Sequence, residues 1–154
     1  MKKFIKIFAI IIVIVFIGIQ FFRPNRTNPV SDKSRDVSYY INIPVNVKQI
    51  LERSCYDCHS NLTRWPWYTN IAPASWLVAS DVNDARSQMN FSEWGTYNIT
   101  DQIDFLDHIN KQVKKGSMPL GKYLLIHSDA KLTDADRDLV SKWASSAADS
   151  LLSK

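Results

Sequence analysis

Hydrophobic positions along the chain follow two different spacings. From Phe4 to Phe22 they run almost unbroken, interrupted only by Lys6 and Gln20. As a helix, that run would extend about 28 Å, close to the hydrocarbon thickness of a bilayer. Lys2, Lys3 and Lys6 crowd its start, and it ends in bulky Phe21-Phe22-Arg23-Pro24 instead of the small residues of a cleavage site. This pattern predicts an uncleaved transmembrane anchor over residues 1–23, with membrane contact through 4–22 and the N-terminus inside. Residues 24–42 are polar, contain Pro24 and Pro29, and read as a tether.

From residue 43 to 154 the spacing becomes helical. Pro44 suits a helix start, and Val47, Ile50, Leu51 and Ser54 form one stripe leading into Cys55. A second helix is expected from about Pro73, with Trp76, Leu77, Val82 and Ala85 as its apolar positions. A third is expected to be capped by Thr100, striped by Ile103, Leu106, Ile109 and Val113, and stopped by Gly116. A fourth opens at Thr133 with Asp136 three residues on, and Leu139, Val140 and Trp143 make its apolar face. No segment alternates with period two, so the domain reads as all-α, about four short helices. So few aliphatic residues in about 110 leave a thin core, one that would gain from a large apolar group to pack around.

Charge changes the picture in one respect. Of the net +4, five positives (Lys2, Lys3, Lys6, Arg23, Arg26) lie in the first 30 residues, which carry no acid; removing them leaves the rest at −1. A nucleic-acid reading, which wants a basic domain face, therefore loses most of its support. Two cysteines are too few for a disulfide framework.

Both cysteines fall in Cys55-Tyr56-Asp57-Cys58-His59. C-x-x-C-H is the attachment signature of c-type haem. Thiols three residues apart on a helix reach the same side, and His59 follows to ligate iron through one ring nitrogen while the other donates to a backbone carbonyl, for which Pro66 and Pro73 are candidates. The pattern favours one covalent haem c over a dithiol redox pair, a zinc site completed by His108 or His127, or a plain Cys55–Cys58 disulfide. Covalent attachment of this kind takes place outside the bacterial cytoplasmic membrane. That agrees with an inner-membrane, single-pass protein whose haem domain lies in the periplasm.

The second axial position has several candidates. Met118, between Gly116-Ser117 and Pro119, is a poor core position and the favoured one. Met89 is weaker, His108 reads as a solvated helix residue, and His127 would give bis-histidine ligation. Trp65, Trp67, Trp94, Tyr97 and Tyr123 are candidate crevice walls, and Arg64 a candidate propionate partner.

With these residues in view, His59-Ser60-Asn61, Arg64-x-Pro66-Trp67-Tyr68, Asn70-Ile71-Ala72-Pro73, Asn90-Phe91-Ser92-Glu93-Trp94, Met118-Pro119-Leu120-x-x-Tyr123, Ile126-His127 and Leu132-Thr133-x-x-Asp136 resemble the bacterial haem-binding domain family. The resemblance covers 43 to about 146 and extends to Phe21-Phe22-Arg23-Pro24. It implies a cytochrome c-like bundle around one haem, with Cys55 and Cys58 as attachment sites, His59 as proximal and Met118 as distal iron ligand. The expected role is single-electron transfer to protein partners the sequence does not name, not enzymatic turnover. A haem-based redox or gas sensor and a peroxidase-like enzyme are the alternatives.

Overall fold

The computed structural model describes residues 1–153, and among them the chain is helical, with no strand. There are eight α-helices and three 3₁₀ turns instead of the expected four or so helices: α1 (Lys2–Ile19), α2 (Val37–Tyr40), α3 (Val45–Ser54), α4 (Tyr56–His59), α5 (Ala74–Gln88), α6 (Ile99–Lys115), α7 (Gly121–Leu124) and α8 (Asp134–Leu152). Four of them, α3, α5, α6 and α8, are the predicted amphipathic helices. The additional ones outside α1 are single turns.

The expectation of a transmembrane anchor is not met. Among the described residues no helix is long and apolar enough to cross a membrane. The N-terminal run does form a helix, but α1 includes Lys2, Lys3 and Lys6 and ends at Ile19, with Phe21 and Phe22 beyond it. Its uninterrupted apolar part, Ile7–Ile19, spans about 20 Å against roughly 30 Å of hydrocarbon. The single-pass inner-membrane placement with a periplasmic haem domain therefore does not stand.

Local chemistry explains most helix boundaries. In α3, Val47, Ile50, Leu51 and Ser54 are all buried. Asn98, not Thr100, caps α6: its side chain accepts from Asp101 N at 2.9 Å, and Thr100 lies inside the first turn. Gly116 closes α6 with φ +74°, a left-handed conformation that a Cβ would strain. Thr133 and Asp136 make a reciprocal capping box at α8. In α5 the inward positions are Ala79, Val82 and Ala85, whereas Leu77 is exposed and Trp76 is turned outward, donating its indole N–H to the Phe22 carbonyl at 2.6 Å. Leu139 is likewise at the surface of α8, while Val140 and Trp143 are buried.

α6 and α8 lie against each other, and α3 packs on α8. Their shared core holds Leu51, Leu106, Val113, Val140 and Ala144, together with Phe91 and Trp94 from the loop before α6. Residues 24–42 run along the domain. Arg26 donates to Asn70 Oδ1 at 2.7 Å, Asn28 donates to the Thr63 carbonyl at 2.9 Å, and Val37 is fully buried.

Leu106 is completely buried at the centre of this core. Leu106→Ala is expected to lower unfolding free energy by about 2–5 kcal/mol, and Thr133→Ala by about 1 kcal/mol, both read from urea denaturation midpoints.

Candidate functional site

The predicted chemistry converges on one cavity. It encloses about 700 Å³, within the range typical of cofactor pockets, and is bounded by α3–α4, the 63–68 loop, α5, α6 and the segment from Met118 to His127. Cys55, Cys58, His59 and Met118 all line it.

The motif is placed by a break in the backbone. Cys55 ends α3 with its N–H on the Leu51 carbonyl, then leaves helical geometry at φ −127°, ψ −38°. Its own carbonyl accepts from Cys58 N (3.1 Å) and His59 N (2.9 Å), winding the remaining four residues into α4. Both thiols are free, half-buried and unbridged. Burial, reinforced by each other's proximity at Cys55 and by Asp57 at Cys58, pushes them up to about 12 and about 11, so they are neutral thiols at ordinary pH.

His59 is oriented by a carbonyl, as expected, but the carbonyl is that of Met89 and not of Pro66 or Pro73. Nδ1 lies 3.1 Å from Met89 O. Burial lowers the imidazole's proton affinity, partly offset by backbone hydrogen bonding. The Met118 loop is tied to two helices: Ser117 N and Met118 N donate to the Gln112 carbonyl (3.1 and 3.4 Å), and Arg137 Nη1 donates to the carbonyls of Val113 (2.8 Å) and Met118 (3.2 Å).

Among the aromatic residues nominated as crevice walls, Tyr123 lines the cavity, and Trp65, Trp67, Trp94 and Tyr97 do not. Trp94 is wholly buried in the core, stacked on Phe91, and Trp67 is exposed. Phe91 and Phe105 take their place on the wall. Arg64 borders the cavity with its guanidinium engaged by Asp57. His108 is at the exposed rim.

Asp57, inside the motif, is the residue whose importance sequence reasoning missed. Its buried carboxylate accepts from Arg64 N (3.1 Å), Arg64 Nε (3.1 Å), Arg64 Nη2 (3.0 Å) and Tyr123 OH (2.9 Å). These bonds tie α4 to the 63–68 loop and to α7. The only sequence signal was an acid and Arg64 seven residues apart, which without the turn between them points to no contact.

A haem fits the residues present. The pocket offers two unpaired thiols on one short turn, an imidazole with one nitrogen already committed to a carbonyl, and a thioether on a separately anchored loop. No cluster of three His, Cys, Asp or Glu side chains able to hold a metal ion occurs among the described residues. The family model for the haem-binding domain matches residues 14–146. The chain belongs to the haem-binding domain family. The match takes in the last third of α1 and all of residues 24–42 as well as the residues from 43 onward. No curated protein and no solved structure matches the chain.

Removing the Asp57 carboxylate takes the acceptor from four donors; the Arg64 amide and the Tyr123 hydroxyl lose a partner, while the exposed Arg64 guanidinium turns to water. Asp57→Ala is expected to cost about 2–3 kcal/mol and Tyr123→Phe about 1 kcal/mol. Chemical denaturation checks both the values and their order.

Proposed function

We propose that this haem-binding protein carries single electrons on one covalently attached haem c, without converting a substrate. The observation that carries the reading is the convergence of Cys55, Cys58, His59 and Met118 on one cavity, with the His59 ring already fixed through Nδ1. Cys55 and Cys58 would hold the group by thioether bonds, each thiol adding across one vinyl group with its hydrogen passing to the neighbouring carbon and no net change of electrons. The Nδ1–H donated to Met89 leaves Nε2 as the nitrogen with a free lone pair for iron. Met118 would offer iron a thioether, a donor that favours the reduced state and would raise the potential.

Bound haem supplies a one-electron iron couple. The chain's part would be to hold His59 and Met118 still, so that little rearrangement accompanies a change of charge. The Gly116 turn and Arg137 hold the Met118 loop, and Met89 holds His59. The near-neutral charge beyond residue 30 favours brief, weakly steered encounters with redox partners. In this reading residues 43–154 hold the cofactor, and 24–42 are bonded along their surface.

The test is full-length protein matured with a c-type haem attachment system. Mass spectrometry under denaturing conditions should find one haem on the chain and none on a Cys55→Ala, Cys58→Ala variant. Haem that leaves the wild-type chain on denaturation would overturn covalent attachment. Met118→Ala should lose the weak far-red methionine–iron band and titrate at a lower potential. An unchanged spectrum and potential would remove Met118 from the iron.

A further inference from the structure

The cavity wall that carries Met118 also carries a rival donor. His127 lines the same pocket, and imidazole is a stronger ligand for ferric iron than a neutral thioether. Yet the His127 ring is restrained on two sides. Its Nε2 lies 2.6 Å from the Tyr68 hydroxyl. Its face stacks on Tyr123, with centroids 4.2 Å apart and planes 14° from parallel. Tyr123 is itself fixed, because its hydroxyl donates to Asp57 Oδ2, and Asp57 is gripped by Arg64.

From this geometry we infer that Tyr68 is a positioning residue that keeps His127 off the haem iron and so selects Met118 as the axial ligand. The inference rests on the haem reading above. In either tautomer Nε2 is spent on the Tyr68 hydroxyl: it accepts the phenolic proton, or it carries a proton of its own and donates it. In both cases the sterically open ring nitrogen has no free lone pair. The other nitrogen, next to Cβ, approaches a metal poorly, and swinging it inward would also break the stack on Tyr123. Tyr68 comes from the loop after α4, Tyr123 from α7 and Asp57 from the attachment motif itself. The segment that binds the porphyrin thereby also holds the residues that restrain the competing ligand.

Four full-length, haem-loaded proteins test the assignment by ferric absorption spectrum and potentiometric titration: wild type, Tyr68→Phe, His127→Ala, and the double variant. Tyr68→Phe keeps the aromatic ring and deletes only the hydroxyl. It should lose most of the far-red methionine–iron band, stay low-spin and shift to lower potential, as bis-histidine ligation requires. His127→Ala alone should keep the wild-type band, and adding it to Tyr68→Phe should restore band and potential. A full band in Tyr68→Phe overturns this inference and leaves the Met118 reading standing. Loss of the band that His127→Ala fails to reverse also overturns it, because another group, such as His108 at the rim, has then taken the site. A wild-type protein already lacking the band overturns both the inference and the Met118 reading.

Discussion

The site depends on a break in the backbone at Cys55. Had α3 continued as a regular helix, its hydrogen-bond ladder would have carried Tyr56 through His59 onward along the same axis. Instead the Cys55 carbonyl takes two amide donors, and α4 begins as a separate turn. That single change of direction sets both thiols and the imidazole on the cavity while Tyr56 turns inward to stack on Phe91. It also presents the Asp57 carboxylate to the 63–68 loop. A helix bend of one residue thus decides what a five-residue motif can hold.

Much of this was legible in the sequence where local chemistry decides structure. The stripe from Val47 to Ser54, the Gly116 stop and the Thr133–Asp136 box need only nearest neighbours, and each appears as expected. The motif and Met118 were legible as chemistry, and the structure brings them to one pocket. What failed needed distant contacts. The carbonyl for His59 comes from Met89, thirty residues away, and nothing local distinguishes it from Pro66 or Pro73. Asn98 displaced Thr100 as a cap because both residue types cap well and only the chain's entry path chooses between them. The tryptophans misled through their size: Trp94 fills the α6 side of the core, and Trp76 caps the end of the N-terminal segment. The N-terminal run misled because its apolar stretch reaches Phe22 in sequence, whereas the helix ends at Ile19 and begins among its lysines.

The core and the cavity divide the domain between them. Aliphatic and aromatic packing is concentrated where α3, α6 and α8 meet, while α5, α7 and the Met118 loop border the pocket. Those elements are joined across its mouth by the Lys122–Asp81 ion pair at 2.7 Å and by the bonds of Asp57. Polar ties do on this side what hydrophobic contact does on the other. This arrangement suits a protein whose final packing partner is a cofactor.

The segment before α2 acts as a belt. The Gln20 side chain pairs with both backbone groups of Ala72, and Asn28 Oδ1 accepts from Trp65 and Arg86 while its amide serves Thr63. Trimming the chain at the boundary between residues 42 and 43 would leave those donors and acceptors facing solvent and loosen the loop that carries Arg64 and Tyr68. Residues 20–28 thus belong to the scaffold that steadies one wall of the pocket, although none of them enters the buried core.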